Sequence, residues 1–284
     1  MKSNLLILMG TMGVILSNMT TIKAETINHL NPPLSQKQPN LVKVSDRTLE
    51  NAIRQQLNIS EKTPLTDAQL DKITVLKIEN DYFTPVEQKV KSLEGIERLK
   101  NLTSLTLWEN KITNIKPLAS LSKLKKLNLG YNQITDIKPL AGLSNLTELT
   151  LEGNKITDIK PLVGLSNLTF LNLTANPIID IKPLANLSNL IDLQLISNKI
   201  TDIKPLASLS NINELLLWNN KINDIQPLAS LSKLAVLFLG NNQVTDIKPL
   251  ASLSNLQYLN LGGNPITNCD VLPKRLKNAC PVNK

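Results

Sequence analysis

Aromatic residues are scarce in this sequence. Only eight of the 284 residues are Phe, Tyr or Trp, although 42% of the residues are hydrophobic. A globular domain of this length usually fills its centre with aromatic side chains, each of which buries a large apolar area. A core that is built from Leu and Ile instead must be narrow, and narrow aliphatic cores are typical of proteins that stack short repeats.

The residue types needed for catalysis are also scarce. The chain has one histidine, His29, which precedes the first predicted structural element, and it has no glycine-rich stretch that could hold a phosphate. Serines such as Ser120 and Ser144 recur at repeated positions, where a structural role is expected. Because a nucleophile needs a base beside it, the sequence predicts a protein that is not an enzyme and that binds no metal and no cofactor.

Long hydrophobic runs are absent except for one at the start of the chain. This run extends from Leu5 to Leu16 and is too short to span a bilayer as a helix. It follows Lys2 and precedes Ile22-Lys23-Ala24, an order typical of a secretory signal peptide that is cleaved after Ala24. A buried N-terminal helix is the alternative, which the following Asn31-Pro32-Pro33 disfavours. We therefore expect a signal peptide over residues 1–24, a flexible tail over residues 25–42, and export to the periplasm, cell surface or medium without membrane insertion.

Cysteine is limited to two residues near the C-terminus, Cys269 and Cys280. An exported protein meets an oxidising environment, in which a disulfide is favoured over two free thiols. We expect this bond to hold a C-terminal cap over residues 265–284.

The net charge of +8 is unevenly placed, and residues 101–264, with 14 Lys, no Arg and 11 acidic residues, contribute only +3 of it. Nucleic-acid-binding proteins instead cluster Lys and Arg on one face. The charge pattern therefore predicts no nucleic-acid partner.

The main feature of the sequence is a repeat of 22 residues over residues 101–264. In each unit a Leu-x-Leu stretch, such as Leu105 to Leu107, alternates with the period of a strand and predicts leucines that face inward. An asparagine follows each strand, and its amide can both donate to and accept from backbone groups of adjacent coils. These asparagines form the predicted structural ladder: Asn110, Asn132, Asn154, Asn176, Asn198, Asn220, Asn242 and Asn264.

The return side of each coil is marked by proline, from Pro117 to Pro249. Proline suits the first position of a short helical turn because it lacks an N–H and has a fixed φ. The pattern therefore predicts short 3₁₀ turns. Since one unit cannot bury its own apolar face, the coils must stack and both ends of the stack must be capped.

An N-terminal cap is predicted over residues 43–100. Leu49, Ala52, Ile53 and Leu57 form one helical face after Ser45, and Thr66 with Gln69 forms a capping box for a second helix. Val75 to Ile78 is the first predicted strand. Asn80 stands where the ladder asparagine is expected, 30 residues before Asn110, which places eight surplus residues in a loop from Asp81 to about Lys89.

The repeat unit Leu-x-Leu-x-x-Asn-x-Ile-Thr-Asp-Ile-x-Pro-Leu, as around Leu195 to Leu206, resembles the 22-residue repeat of bacterial internalins. The segments beginning at Asp46 and Pro64 resemble the internalin N-terminal cap. The resemblance implies an α/β repeat fold: a curved leucine-rich-repeat solenoid with parallel strands on its concave face and 3₁₀ turns on its convex face. It also implies a surface or secreted protein that binds a partner protein through the concave face. Internalins commonly add an immunoglobulin-like domain, whereas a cysteine-bearing end follows the repeats here, so a role in host-cell entry is not carried over.

Most of the aromatic residues fall at outward positions of the strands, six, four, two or one residues before the ladder asparagine. Side chains at these positions point away from the leucine core, and exposed aromatic clusters mark protein-binding surfaces. Together with three aliphatic residues at the same positions, they form the predicted partner-binding set: Trp108, Tyr131, Phe170, Ile196, Leu216, Trp218, Val236, Phe238 and Tyr258. The alternative is that each ring packs on its neighbours and only stabilises the stack.

Acidic residues share one outward position, six residues before the asparagine, at Glu148, Asp192 and Glu214. They predict a negative stripe in the middle of the concave face, with a solvated ladder as the alternative. The sequence as a whole favours a secreted, monomeric, non-catalytic protein that binds another protein. A structural or adhesive, self-associating scaffold is the main alternative, and a regulatory subunit of an enzyme such as a protein phosphatase is disfavoured by the signal segment.

Overall fold

The computed structural model describes residues 41–280. The predicted signal peptide, residues 25–40 of the predicted tail and the last four residues of the predicted C-terminal cap lie outside this range. The described residues form a solenoid that begins with helices and continues as stacked coils.

Two helices form the N-terminal end of the solenoid. Helix α1 spans Arg47–Leu57, and helix α2 spans Asp67–Leu70. Helix α1 begins after Asp46, whose carboxylate accepts the backbone N–H groups of residues 48 and 49, at 2.9 and 3.1 Å. Asp46 is therefore the capping residue, and the hydroxyl of the preceding Ser45 donates to the Glu94 carboxylate. The helix buries Leu49 and Ile53 against the first coil.

One parallel sheet of nine strands runs along the described residues, and its strands lie in the order of the chain. Each strand has three residues, and from β2 onward each pairs with the next at an offset of 22 residues. The strands are β1 Val75–Lys77, β2 Ser104–Thr106, β3 Lys126–Asn128, β4 Glu148–Thr150, β5 Phe170–Asn172, β6 Asp192–Gln194, β7 Glu214–Leu216, β8 Val236–Phe238 and β9 Tyr258–Asn260.

The first coil departs from the predicted register. Val75 pairs with Ser104, an offset of 29 residues, so Asn80 aligns with Glu109 and not with Asn110. The prediction that Asn80 occupies the ladder position is wrong by one residue. Its side-chain amide instead donates to the Asn110 carboxamide oxygen at 2.8 Å. Asn80 therefore donates a hydrogen bond to the first asparagine of the ladder without occupying a ladder position itself.

The core contains aliphatic layers, as predicted. The seven repeated Leu and Ile positions of the first full unit, from Leu105 to Leu124, are at most 1% exposed. The 3₁₀ turns close each coil on the opposite side, but each begins one residue before its proline, as at Lys116–Ser120. Proline therefore occupies the second position of the turn. The other turns of the repeats are Lys138–Leu140, Lys160–Leu162, Lys182–Asn186, Lys204–Ser208, Gln226–Ser230 and Lys248–Ser252.

The asparagine ladder joins consecutive coils. The Asn154 amide nitrogen donates to the carbonyl oxygens of Leu129 and Leu151, each at 3.0 Å, and its oxygen accepts the backbone N–H of Ile134 at 3.0 Å. The residue before each ladder asparagine is in the left-handed region, with φ of 54° at Glu109 and 53° at Tyr131. This conformation turns the chain at the end of every strand and lets the amide reach the preceding coil.

A row of aspartates follows the ladder on the turn side. The Asp136 carboxylate accepts the backbone N–H of Lys138 at 2.9 Å, and the same bond recurs in later coils. Among residues 41–280, no ion pair joins these aspartates to the neighbouring lysine row. The aspartates thus satisfy backbone N–H groups of the turns.

The C-terminal end of the solenoid is covered by a 3₁₀ turn, Lys274–Ala279. Leu272 and Leu276 are buried against the last coils. A disulfide joins Cys269 to Cys280 across this segment. The apolar end of the stack is thereby shielded from water.

Candidate functional site

The outward side chains of the strands form rows that cross the solenoid. Strand pairing places Phe170, Asp192, Glu214, Val236 and Tyr258 side by side in one row, six residues before the ladder asparagines. A second row, four residues before the asparagines, brings Leu216 next to Phe238. Neighbouring strands lie about 4.8 Å apart, so side chains in a row are in reach of one another.

Six of the predicted binding residues lie on four adjacent coils, and we call them the apolar patch: Ile196, Leu216, Trp218, Val236, Phe238 and Tyr258. Trp218 and Phe238 are exposed by 38% and 37%, and Tyr258 by 64%, while the three aliphatic residues are half-buried. The patch therefore leaves three aromatic rings in solvent on a rigid sheet. Exposed apolar clusters of this kind are a mark of interaction sites.

Glycine fixes the position of Trp218. A Cβ atom at Gly240, on the next coil, would lie 2.5 Å from the Trp218 Cδ1 atom, so the ring packs directly on the glycine backbone. Trp108 packs in the same way on Gly130, where a Cβ atom would lie 2.4 Å from the ring. Each indole therefore has one face against the solenoid, and a larger residue than glycine would displace it.

The N-terminal aromatic residues are already paired. The rings of Trp108 and Tyr131 meet edge to face with centroids 4.6 Å apart, and the Tyr131 hydroxyl donates to Glu152 at 2.9 Å. Burial, followed by the hydrogen bond to Glu152, raises the pKa of Tyr131. No ring pair is found within the apolar patch, which lies wholly in the described residues. Contact between rings thus explains the positions of Trp108 and Tyr131, whereas no such contact explains the three rings of the patch.

Phe170 stands apart from both aromatic groups. It is half-buried between Glu148 and Asp192 in its row. The structure therefore divides the nine predicted binding residues into the apolar patch, the Trp108–Tyr131 pair and Phe170 between them.

The predicted negative stripe also divides into two parts. Glu148 pairs with Lys126 on the adjacent strand, at 2.7 Å. Asp192 and Glu214, which we call the acidic pair, lie on neighbouring strands as Cα partners. Burial raises the pKa of Asp192 to about 6, with repulsion from Glu214 adding to the rise and a hydrogen bond from Gln194 opposing it. Negative charge therefore concentrates beside the apolar patch.

The inserted loop near the N-terminal end carries two exposed rings, Tyr82 and Phe83, which contact each other edge to face. Lys89 holds this loop in place. Its ammonium group is buried and donates to the carbonyl oxygen of Asp81 at 3.0 Å and to the Glu109 carboxylate at 2.8 Å. Lys89 thus links the loop to Glu109 of the first full coil.

A second asparagine ladder on the flank of the solenoid was missed in the sequence. The Asn145 amide donates to the carbonyl oxygen of Ser122, in the preceding coil, at 2.8 Å, and Asn167, Asn189, Asn211 and Asn255 make the equivalent bond. All of these asparagines except Asn255 line a shallow groove with Thr147, Thr169 and Ile191. Each of them precedes an asparagine of the first ladder by nine residues, so the same 22-residue period in the sequence could have revealed them.

Metal-ligand clusters and long apolar helices are both absent from the part of the chain that the structure describes. Within residues 41–280, no group of three or more His, Cys, Asp or Glu side chains is placed to bind a metal ion. No helix in that range combines the length and the hydropathy needed to cross a bilayer.

Comparison with known proteins places the fold in a family. The sequence profile of the leucine-rich repeat matches residues 100–156, and a profile of two such repeats matches residues 144–186, 210–252 and 232–274. Internalin C2 from Listeria monocytogenes is 41% identical, with a TM-score of 0.72 over 76% of this chain and 93% of its own. The chain belongs to the internalin family.

Two other solved structures are similar to this internalin-family chain. The internalin InlF from Listeria monocytogenes is 35% identical with a TM-score of 0.58, and the match covers 82% of this chain and 79% of that one. A leucine-rich-repeat protein from Leptospira interrogans is 36% identical with a TM-score of 0.62, over 68% of this chain and 51% of that one. A search of curated protein sequences gives no significant match. Leucine-rich-repeat solenoids of this kind typically bind proteins, and the internalin-family chain has the exposed strand surface for it.

Proposed function

We propose that this internalin-family chain is a secreted, non-catalytic protein that binds a partner protein through the C-terminal half of its concave face. The observation that carries the proposal is the apolar patch. Its three exposed rings lie on a rigid parallel sheet, and no ring of the described residues stacks on them. Trp and Tyr are also the residues that most often dominate interface energies.

The rigidity of the patch favours tight binding. Leu216, Val236 and Phe238 lie on three-residue strands that pair with a strand on each side, and Trp218 packs against Gly240. Little conformational entropy is therefore lost when a partner covers these residues. A partner that fills the space above Trp218 and Phe238 removes apolar surface from water without reorganising the solenoid.

A photo-crosslinking experiment tests the proposal and identifies the partner. A photoreactive phenylalanine analogue replaces Phe238 in one variant and Lys204, an exposed residue of a convex turn, in the control. The full chain is expressed and irradiated in its native surroundings. We expect a protein adduct from position 238 and none from position 204. Equal adducts from both positions, or none from 238, would contradict the proposal.

The same experiment separates binding from self-association. An adduct of twice the mass of the chain from position 238 would favour the alternative, a self-associating scaffold. Light scattering of the purified chain gives an independent answer, since the proposed binder should be a monomer. N-terminal sequencing of exported material should begin after Ala24, whereas material that begins at Met1 would refute the predicted signal peptide.

A matched pair of substitutions then measures the contribution of the patch. Trp108→Ala and Trp218→Ala each remove an indole that packs on a glycine of the next coil, so both should lower stability, and Trp108→Ala should lower it more because it also loses the contact with Tyr131. Only Trp218→Ala should weaken the identified partner, by about thirtyfold if it removes a hot spot of about 2 kcal/mol. Equal weakening by both variants would assign the patch a structural role.

A further inference from the structure

The acidic pair adjoins the apolar patch without a gap. Glu214 and Leu216 belong to the same strand, and Val236 of the patch is the Cα partner of Glu214 in the next strand. On the other side of the pair, Phe170 is the Cα partner of Asp192. Two carboxylates therefore lie side by side in a row that is apolar on both sides.

The other carboxylates of the concave surface already have partners. Glu79 pairs with Lys77 at 2.8 Å, Glu109 with Lys89 at 2.8 Å, and Glu148 with Lys126 at 2.7 Å. Glu152 accepts hydrogen bonds from Tyr131 and Asn172. A polar or cationic group of the chain itself thus satisfies each of these four acids.

Among the described residues, the carboxylates of the acidic pair have only the Gln194 amide as a hydrogen-bond partner. No ion pair of residues 41–280 includes Asp192 or Glu214. Asp192 accepts only long bonds of 3.3 Å from the Gln194 amide. On the neighbouring strands, β5 offers Phe170 and Asn172, which do not titrate, and β7 offers the like charge of Glu214.

Like charges on directly adjacent strand positions repel each other, and partial burial adds to the cost of ionisation. A cation delivered from outside would remove both penalties at once. The same cation could bring an apolar neighbour onto Leu216 and Trp218, since these residues lie on the strand of Glu214 or just beyond it. The arrangement therefore fits a side chain that is positively charged and is held among apolar groups.

We propose that the partner docks a Lys or Arg side chain on the acidic pair while an adjacent apolar side chain of the partner covers Leu216, Trp218 and Phe238. This inference rests on the proposed function and specifies the chemistry of the partner at the concave face. The cation supplies orientation and selectivity, because its position on Asp192 and Glu214 fixes which partner residue meets the apolar patch.

The test uses two defined peptides and the full chain. N-acetyl-Leu-Arg-Leu-amide is compared with the same peptide carrying citrulline, which has nearly the shape of arginine without its charge. Binding is followed by NMR shifts of the backbone amides of residues 192–218, with peptide up to about 10 mM so that millimolar affinities are detected. We expect the arginine peptide to shift Asp192 and Glu214 and to bind about five- to tenfold more tightly than the citrulline peptide.

The variants distinguish this inference from the proposed function. Asp192→Asn with Glu214→Gln should remove the preference for arginine, while Glu148→Gln, in the same row but paired with Lys126, should preserve it. Trp218→Ala with Phe238→Ala should weaken both peptides alike. An equal affinity of the two peptides for the unmodified chain, no shift with either, or a preference that survives the Asp192→Asn and Glu214→Gln changes would overturn the inference. An adduct at position 238 in the crosslinking experiment would leave the proposed function standing in each of those cases.

Discussion

The acidic pair leads to a stability prediction that needs no partner. Asp192→Asn replaces a half-buried carboxylate by an amide of nearly the same size. The pKa of Asp192 rises from 3.8 to about 6, chiefly through burial and then through repulsion from Glu214. A rise of this size corresponds to at most about 3 kcal/mol against the charged form. Because the side chain is only half-buried, solvent screening should leave about 1 kcal/mol.

The sign of the effect follows from proton binding. Between about pH 4 and pH 6 the folded chain holds a proton on Asp192 that the unfolded chain has largely released, so the stability contributed by Asp192 is present at low pH and is lost as the pH rises through about 6. Near pH 7.5 the carboxylate is charged in both states and destabilises the fold. The amide of Asp192→Asn cannot ionise, so the variant should be more stable than the parent by about 1 kcal/mol at neutral pH.

Urea unfolding of both chains at about pH 7.5 and about pH 4 measures the difference. The two chains should differ at the higher pH and agree more closely at the lower one. Glu148→Gln is the matched control, because it removes a carboxylate that is paired with Lys126 at 2.7 Å and should not stabilise the fold. An Asp192→Asn variant that is no more stable than the parent near pH 7.5 would refute the description of the pair as two carboxylates that repel each other without a cationic partner.

Three further predictions concern the scaffold. Asn154→Ala should lower the free energy of unfolding by about 2 kcal/mol in a urea titration, because it leaves the buried Ile134 N–H without an acceptor and removes one of the two amide donors to each of the Leu129 and Leu151 carbonyls. Gly240→Ala should displace the Trp218 ring and lower the free energy of unfolding by about 1–3 kcal/mol. A shift of the NMR resonance of the indole N–H would reveal the displacement, and an unchanged resonance would count against the packing of the ring on Gly240. Reduction of the Cys269–Cys280 bond, which closes a separation of 11 residues, should lower the free energy of unfolding by about 3 kcal/mol. Amide hydrogen exchange in the last coil should then become faster, and unaltered exchange there would show that the cap holds without the disulfide.

The repeated part of the fold was predictable because its period never varies. From Asn110 to Asn264 no residue is inserted or deleted, so one unit determines the others. The inward Leu and Ile residues, the parallel strands and the 3₁₀ turns follow from that unit. The register of β1 was not predictable in this way, because the first coil has no regular predecessor and Asn80 resembles a ladder residue. Only the pairing of Val75 with Ser104 shows that Asn80 lies one position earlier.

The candidate site was predictable in position but not in its contacts. Strand alternation is enough to place Trp108 and Trp218 outside the core. It does not show that each indole packs on a glycine of the next coil, since that contact depends on residues 22 positions away in the sequence. Charge at one repeated position was also visible, yet only the strand pairing shows that Glu148 meets Lys126 while Asp192 meets Glu214.

The division between repeated and varied positions explains how this scaffold can acquire a specific partner. Inward positions keep Leu or Ile in almost every coil, because a change there would leave a cavity in a narrow core. Outward positions change from coil to coil, and the sheet holds them at a fixed spacing of about 4.8 Å. The acidic pair and the apolar patch together occupy β6 to β9, about 14 Å from the first strand to the last. A region of that width can hold the few residues of a hot spot. It is smaller than a whole stable interface, which buries about 800 Å² on each partner. The rest of the contact area must therefore come from neighbouring coils, where Phe170 on the adjoining strand β5 supplies further apolar surface.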